Sequence, residues 1–251
     1  MIDFYSTLPK KNNHFASCEP VAGRPTVRHV YLARWAFAGG LVRFRTKIKF
    51  GLYWLSLLMA TNAYAATYYL SPEGSANTDG SKQRPWNVDF GLSKGGGNEF
   101  IFLPGVYRGP ISLNQTQAGT TERPTLLKSE VRWKAKIMGA QYHVMNIGED
   151  TPYVTIDGFE IWGAGNSGIK SDSDNTTIKN CWIHNNSLMG ISIHRRQNAL
   201  IENNLIEFNG MNPQFHHGVY LDGAGHTIRG NVIRHNAGFG LHLYPNITAV
   251  R

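Results

Sequence analysis

The chain has 251 residues, a formal charge of +8 and two cysteines, enough for one large domain or two small ones. The charge is unevenly placed: residues 1–65 hold nine Lys/Arg against two Asp/Glu, and the remaining 186 hold sixteen against fifteen. The basic balance therefore gives no support for nucleic-acid binding by the folded part. Only Cys181 lies beyond residue 65, so that part has no disulfide of its own.

Residues 1–41 show no periodicity and read as a non-native or disordered upstream extension, with the native start near Leu41 or Val42. Residues 42–65 read as a secretory signal peptide. A positive run, Arg43 to Lys49, precedes the apolar run Phe50–Ala60, and Ala63-Tyr-Ala65 supplies small residues for cleavage after Ala65. The apolar run is shorter than the roughly 20 residues of a spanning helix. The expected product is secreted or periplasmic, without stable membrane insertion.

Residues 66–152 read as an opening segment of turns and short strands followed by the first rungs of a solenoid. Turn signals fall at Ser71-Pro-Glu-Gly74, Asp79-Gly-Ser81 and Arg84-Pro-Trp86. Strands are expected at Phe100–Leu103, through Val106–Leu113, and at Thr125–Leu127, Lys136–Met138 and Val144–Ile147.

From Tyr153 to Arg251 one pattern repeats four times. Ile156, Ile178, Ile201 and Ile228 lead the units, and Ile161, Ile183, Ile206 and Ile233 follow with the same spacing. A third apolar set is Ile169, Ile191, Val219 and Leu241. Three short alternating strands per turn predict an all-β, single-stranded right-handed parallel β-helix. Gly158, Asn180, Asn203 and Gly230 share one position, where a sharp corner needs φ > 0. Asn186, Asn209 and Asn236 share another and are expected to hydrogen-bond along the axis. Cys181 reads as a buried structural thiol at a position where the later units carry Asn204 and Asn231.

These segments resemble secreted bacterial right-handed β-helix proteins of the pectate-lyase-like superfamily. The resemblance rests on Tyr68-Tyr-Leu-Ser-Pro-Glu-Gly-Ser75, Asp79-Gly-Ser81, Arg84-Pro-Trp86, Ile101-Phe-Leu-Pro-Gly-Val-Tyr-Arg-Gly109 and Tyr153-Val-Thr-Ile-Asp-Gly-Phe-Glu-Ile161. It covers essentially residues 66–251 and implies an N-terminal cap over the first rung. That superfamily includes polysaccharide lyases, glycoside hydrolases, epimerases and non-catalytic adhesins, so the implied partner is a polysaccharide.

Alternation assigns the outward positions. On the first strand they are Asp157, Lys179, Glu202 and Arg229, an alternating, charge-paired ladder. On the third strand they are Lys170, Ser192, Tyr220 and His242, and then Asp172, His194, Asp222 and Tyr244. The insertion Gly210–His217 leads into this strand and is expected to wall a groove.

Cleaving an acidic polysaccharide by β-elimination needs a base, an acid and a cation beside the uronate carboxylate. Lys170, His194, Tyr220 and His242 are the candidate acid–base residues. Arg195, Arg196, His217 and Tyr244 are the candidate substrate contacts, and Asp172 with Asp222 would help hold Ca²⁺. His216 and His217 are not read as a metal pair, because adjacent strand residues point opposite ways. Hydrolysis would instead need two carboxylates, and Asp172 and Asp222 sit two strands apart, roughly 9.6 Å. The other alternative is a non-catalytic carbohydrate-binding protein. Ala249-Val-Arg251 begins a fifth unit, so the chain is expected to be part of a longer solenoid.

Overall fold

The computed structural model describes residues 66–244 and 247–251; the extension and signal peptide expected over residues 1–65 lie outside them. No helix of the described residues is long and apolar enough to cross a membrane.

The described chain opens with β1 (Thr67–Leu70) and a short helix, α1 (Val88–Leu92). Two rungs follow: β2 (Glu99–Phe102), β3 (Gly105–Arg108) and β4 (Ile111–Leu113), then β5 (Thr125–Ser129), β6 (Ala135–Ala140) and β7 (Met145–Ile147). The four rungs legible as repeats come next. They are β8 (Val154–Asp157), β9 (Glu160–Ala164) and β10 (Ile169–Ser171); β11 (Thr177–Lys179), β12 (Trp182–His184) and β13 (Ile191–Gln197); β14 (Leu200–Glu202), β15 (Leu205–Glu207) and β16 (Val219–Ala224); and β17 (Thr227–Arg229), β18 (Val232–Arg234) and β19 (Leu241–Leu243).

Each rung gives one strand to each of three parallel sheets, in the orders β1-β2-β5-β8-β11-β14-β17, β3-β6-β9-β12-β15-β18 and β4-β7-β10-β13-β16-β19. The isoleucine columns run in register: Ile156, Ile178, Ile201 and Ile228 pair in the first sheet, and Ile161, Ile183, Ile206 and Ile233 in the second. The first three of each column are fully buried, so period-two alternation turns one residue type into a continuous core.

Corner chemistry fixes the rung shape. Gly158, Asn180, Asn203 and Gly230 all have positive φ, at 81°, 56°, 55° and 64°. Asn tolerates this region because its short amide bonds locally. The Asn186–Asn209–Asn236 ladder forms as expected: Asn186 Nδ2 donates to Asn209 Oδ1 at 2.9 Å, and Asn209 Nδ2 to Asn236 Oδ1 at 3.0 Å. A second ladder joins Asn204 to Asn231 and ends at Cys181, whose N–H donates to Asn204 Oδ1. Cys181 is fully buried, and burial pushes its thiol up to about 12. The first-strand charges pair along the axis through Lys179–Asp157 and Arg229–Glu202.

Three details differ from the sequence reading. Val106–Leu113 is not continuous: it breaks at Gly109-Pro110, where proline has no N–H to give a ladder, and its halves enter different sheets. The cap contains α1, whose N-cap Asn87 accepts the Phe90 N–H and which brings Phe90 against Trp86. The closing segment pairs Arg251, not Ala249, with Thr227, since Arg251 N donates to His226 O and Ile228 N to Arg251 O.

Candidate active site on the third sheet

The outward side of the third sheet carries a ladder in continuous register: Ser112, Asn146, Lys170, Ser192, Tyr220 and His242. One residue past the inward Ser171, Ile193 and Leu221 stand Asp172, His194 and Asp222. The structure divides the candidates into two groups along this face.

The first group lies in a cleft of about 460 Å³ lined by Pro110, Ser112, Tyr142, His143, Lys170 and Asp172, among others. Lys170 Nζ and Asp172 Oδ2 form an ion pair within it. His143 Nδ1 accepts the Ser167 N–H at 3.4 Å. Burial holds the His143 ring below the usual histidine range, and the Lys170 charge adds to that.

The second group is built by β13 and β16. His194 Nδ1 stands 3.7 Å from Asp222 Oδ2; the Asp222 side chain is 12% exposed and the His194 side chain 44%. The carboxylate thus lies behind the ring and leaves Nε2 for a substrate. Tyr220 stacks on His194 at 6.2 Å between centroids, and Tyr244 lies 5.7 Å beyond Tyr220. Desolvation raises the Tyr220 hydroxyl, Tyr244 and Asp222 add to this, and the Arg195 charge opposes it. Arg195 is exposed on a β-bulge between Ile193 and Arg196, with φ 53°. A bulge re-aims a side chain locally. Gly223 permits the close pairing here, because a Cβ would lie 1.8 Å from Arg196 O.

Beside this group, two histidines are coupled. His217 Nδ1 accepts the Phe239 N–H at 3.1 Å, so its proton sits on Nε2 and is donated to His242 Nδ1 at 2.7 Å. That contact engages His242 Nδ1 as an acceptor and leaves Nε2–H as the ring's donor.

The residues matched by the family described as a right-handed β-helix region are 144–250. Among solved structures, a pectate lyase, Pel9A, superposes with a TM-score of 0.67 at 20% identity, over 76% of this chain and 54% of that one. The chain is a right-handed parallel β-helix of pectate-lyase-like fold. This β-helix is also similar to a GH136 lacto-N-biosidase from Eubacterium ramulus, with a TM-score of 0.57, 14% identity and coverage of 71% and 43%. A rhamnogalacturonan lyase gives 0.51, 15%, 74% and 56%. The chain spans about half the length of these structures. No curated protein matches it by sequence.

Within the β-helix, three of the expected site roles change. His217 is 2% exposed, and both of its ring nitrogens are engaged, by the Phe239 N–H and by His242, so neither is left open to a ligand. Arg196 Nη2 is 3.3 Å from Glu149 Oε1, and its Nε is buried without a partner, which leaves Arg195 as the accessible cation. Asp172 and Asp222 do not fit a Ca²⁺ site: Ca²⁺ takes 6–8 oxygens, whereas Asp172 faces an ammonium and Asp222 faces His194 on the intervening strand. Among the described residues no group of three or more His, Cys, Asp or Glu is placed to hold a metal. His143 and Phe239 also stand on this face, His143 in the cleft and Phe239 against His217, and nothing in the sequence marks them because each is brought there by a neighbouring rung.

Burial has a pH consequence. His143, His217 and His226 are all held below the ordinary histidine range, in each case chiefly by desolvation. The unfolded chain therefore binds more protons than the folded one at mildly acidic pH, and stability increases with pH there. Stability is expected to be fully present above about pH 6.5 and to decline below it. Urea midpoints at pH 7.5 and 5.0 check this, and an equal or higher midpoint at pH 5.0 would contradict it. His226→Phe should flatten the slope: His226 is fully buried, with Nδ1 on the Ala199 N–H and Nε2 unpartnered.

Proposed function

We propose that the protein is an exported polysaccharide lyase that cleaves an acidic polysaccharide by β-elimination on the third-sheet face. The carrying observation is the placement of His194, Asp222, Tyr220 and Arg195 together on β13 and β16. Arg195 neutralises the uronate carboxylate and so acidifies the adjacent C5–H. His194 Nε2 takes that proton, and Asp222 behind Nδ1 stabilises the imidazolium. The Tyr220 hydroxyl protonates the departing glycosidic oxygen as the C4–O bond breaks and the C4–C5 double bond forms. His242, oriented by His217, offers a further hydrogen bond to the chain, and Tyr244 offers an aromatic surface to a sugar face. The pectate and rhamnogalacturonan lyases of similar fold agree with this reading.

A hydrolytic reading is weaker, because each carboxylate of the required pair already faces a cationic or basic partner. The partly exposed aromatic pair Tyr220 and Tyr244, with the exposed Phe239 ring stacked on the nearby His217, supports a second reading, a non-catalytic polysaccharide binder. Incubation with pectate, alginate and glycosaminoglycans separates the two. The lyase yields ultraviolet absorbance from an unsaturated uronate end, whereas the binder retains polymer without it. Export rests on the basic run, apolar run and Ala63-Tyr-Ala65. N-terminal sequencing of the exported chain should begin at Ala66, and a start upstream would contradict the signal peptide.

A further inference from the structure

The outward side of the second sheet carries tryptophans that the proposed chemistry leaves unused. Ile161 and Ile183 point inward and are fully buried, so alternation turns Trp162, Trp182 and His184 outward. Trp162 and His184 are register partners on β9 and β12, with rings 5.8 Å apart and parallel to within 6°. Trp182 lies 4.2 Å from His184, and Trp133, from the turn before β6, lies 5.7 Å from Trp182. The four rings form a single file, and all three tryptophans stay partly exposed. Trp133 takes φ 63°, which glycine would adopt without strain and a bulky residue does not. Its Nε1–H donates to Asn180 O at 2.8 Å, and that of Trp182 to Glu207 Oε1 at 3.0 Å. The indoles are thus fixed before any ligand arrives, which lowers the ordering cost of binding.

Charge decides the class of ligand. Glu160 and Glu207 are the only carboxylates on the strands of this sheet. Both are buried and matched: Glu160 lies 3.0 Å from Lys136 Nζ, and Glu207 2.7 Å from Arg234 Nε. Arg132 and Lys134 flank Trp133 in sequence and are exposed, and among the described residues no carboxylate lies within salt-bridge distance of either. Arg132 covers the Trp133 ring, with Cζ 4.4 Å from its centroid. Glu130 and Asp157, which line a hollow with Arg132, are taken by Lys82 and Lys179. Unmatched cations select an anion, and aromatic rings cover the apolar face of a sugar. A single file of rings suits a linear chain, whereas a stable protein contact buries about 800 Å² on each partner.

We infer that this strip is a second glycan site, which holds an acidic polysaccharide apart from the third-sheet centre. It rests on the lyase reading for the role of a tether to the polymer being cut, and needs none of that reading's chemistry to bind. Electrophoresis through gels containing polygalacturonate or alginate tests it. The triple variant His194→Ala, Arg195→Ala, Tyr244→Ala lacks the proposed base and two third-sheet contacts, yet should still be slowed. Adding Trp162→Ala should weaken that binding at least about tenfold. Adding Arg132→Gln with Lys134→Gln should do the same; it alters only exposed side chains and keeps the test open if Trp162→Ala unfolds. Highly methyl-esterified pectin, whose charge is masked, should slow the triple variant much less. Free passage of the triple variant through both acidic gels, slowing unchanged by either second-sheet addition, or equal slowing in the esterified pectin overturns the site. So does a dimer in sedimentation that Trp162→Ala dissociates, which would make the strip a contact between copies of the chain. Slowing as expected, with no unsaturated product from the wild type, overturns the lyase reading and leaves the glycan site standing.

Discussion

Replacing His194 by alanine is expected to lower kcat/KM on a uronate polymer about 10²- to 10⁴-fold, the usual contribution of a positioned base. The loss should fall on kcat, because the ring acts on a proton that moves only in the transition state. Arg195, Tyr220 and Tyr244 still hold the chain, so KM should change little. Asp222→Asn keeps the shape behind the ring but removes the charge that stabilises the imidazolium, and should give a smaller loss of the same kind. His217→Ala acts one step further away: it frees His242 Nδ1 and should raise KM more than it lowers kcat. The three variants are read by initial rates of unsaturated-product formation. Wild-type turnover in His194→Ala would remove His194 from the chemistry. A His217→Ala loss confined to kcat would instead place the His217–His242 pair within it.

The parts of this molecule that could be read from sequence are those where one residue answers to a local rule. Ile156, Ile178, Ile201 and Ile228 stand in register because strand alternation and the rung spacing are both local. Asn180 and Asn203 mark corners because few side chains accept a positive φ. The outward positions of the third strand follow from the same alternation, which is why Lys170, His194, Tyr220 and His242 could be placed on one face. Partnership could not be read this way. Arg195 and Arg196 are neighbours in sequence, yet the bulge after Ile193 sends one outward and gives the other to Glu149, 47 residues earlier. His217 looks like a groove residue until its ring nitrogens are found on Phe239 and His242, 22 and 25 residues later. The five-residue helix α1 has too few turns to be stable alone and exists because the cap packs on it.

Asn209 is expected to be the most costly side chain to lose outside the hydrophobic core. It is fully buried. Its Nδ2 lies within hydrogen-bonding distance of Ile183 O, Glu207 O and Asn236 Oδ1, at 3.1, 3.1 and 3.0 Å. Its Oδ1 accepts from Asn186 Nδ2 and the Asn186 N–H. Asn209→Ala leaves several of these groups buried and unpaired, at about 1–3 kcal/mol for each group that water cannot reach. A total loss of about 2–6 kcal/mol follows if two are stranded, read as a fall in the urea midpoint. Asn209→Asp separates shape from chemistry. It keeps the size and the acceptor for Asn186 but turns a second oxygen toward three oxygens that need a donor. Only the protonated acid fits there, so its pKa in the folded state must rise above the unfolded value near 3.9. The folded variant then binds more protons than the unfolded chain, and its stability falls as pH rises through the window between the two values. That slope is opposite in sign to the one the buried histidines impose. Over pH 4–6 the variant should therefore lose stability relative to wild type as pH rises. A constant difference would mean that the corner admits water, and that the ladder is held by packing more than by its hydrogen bonds.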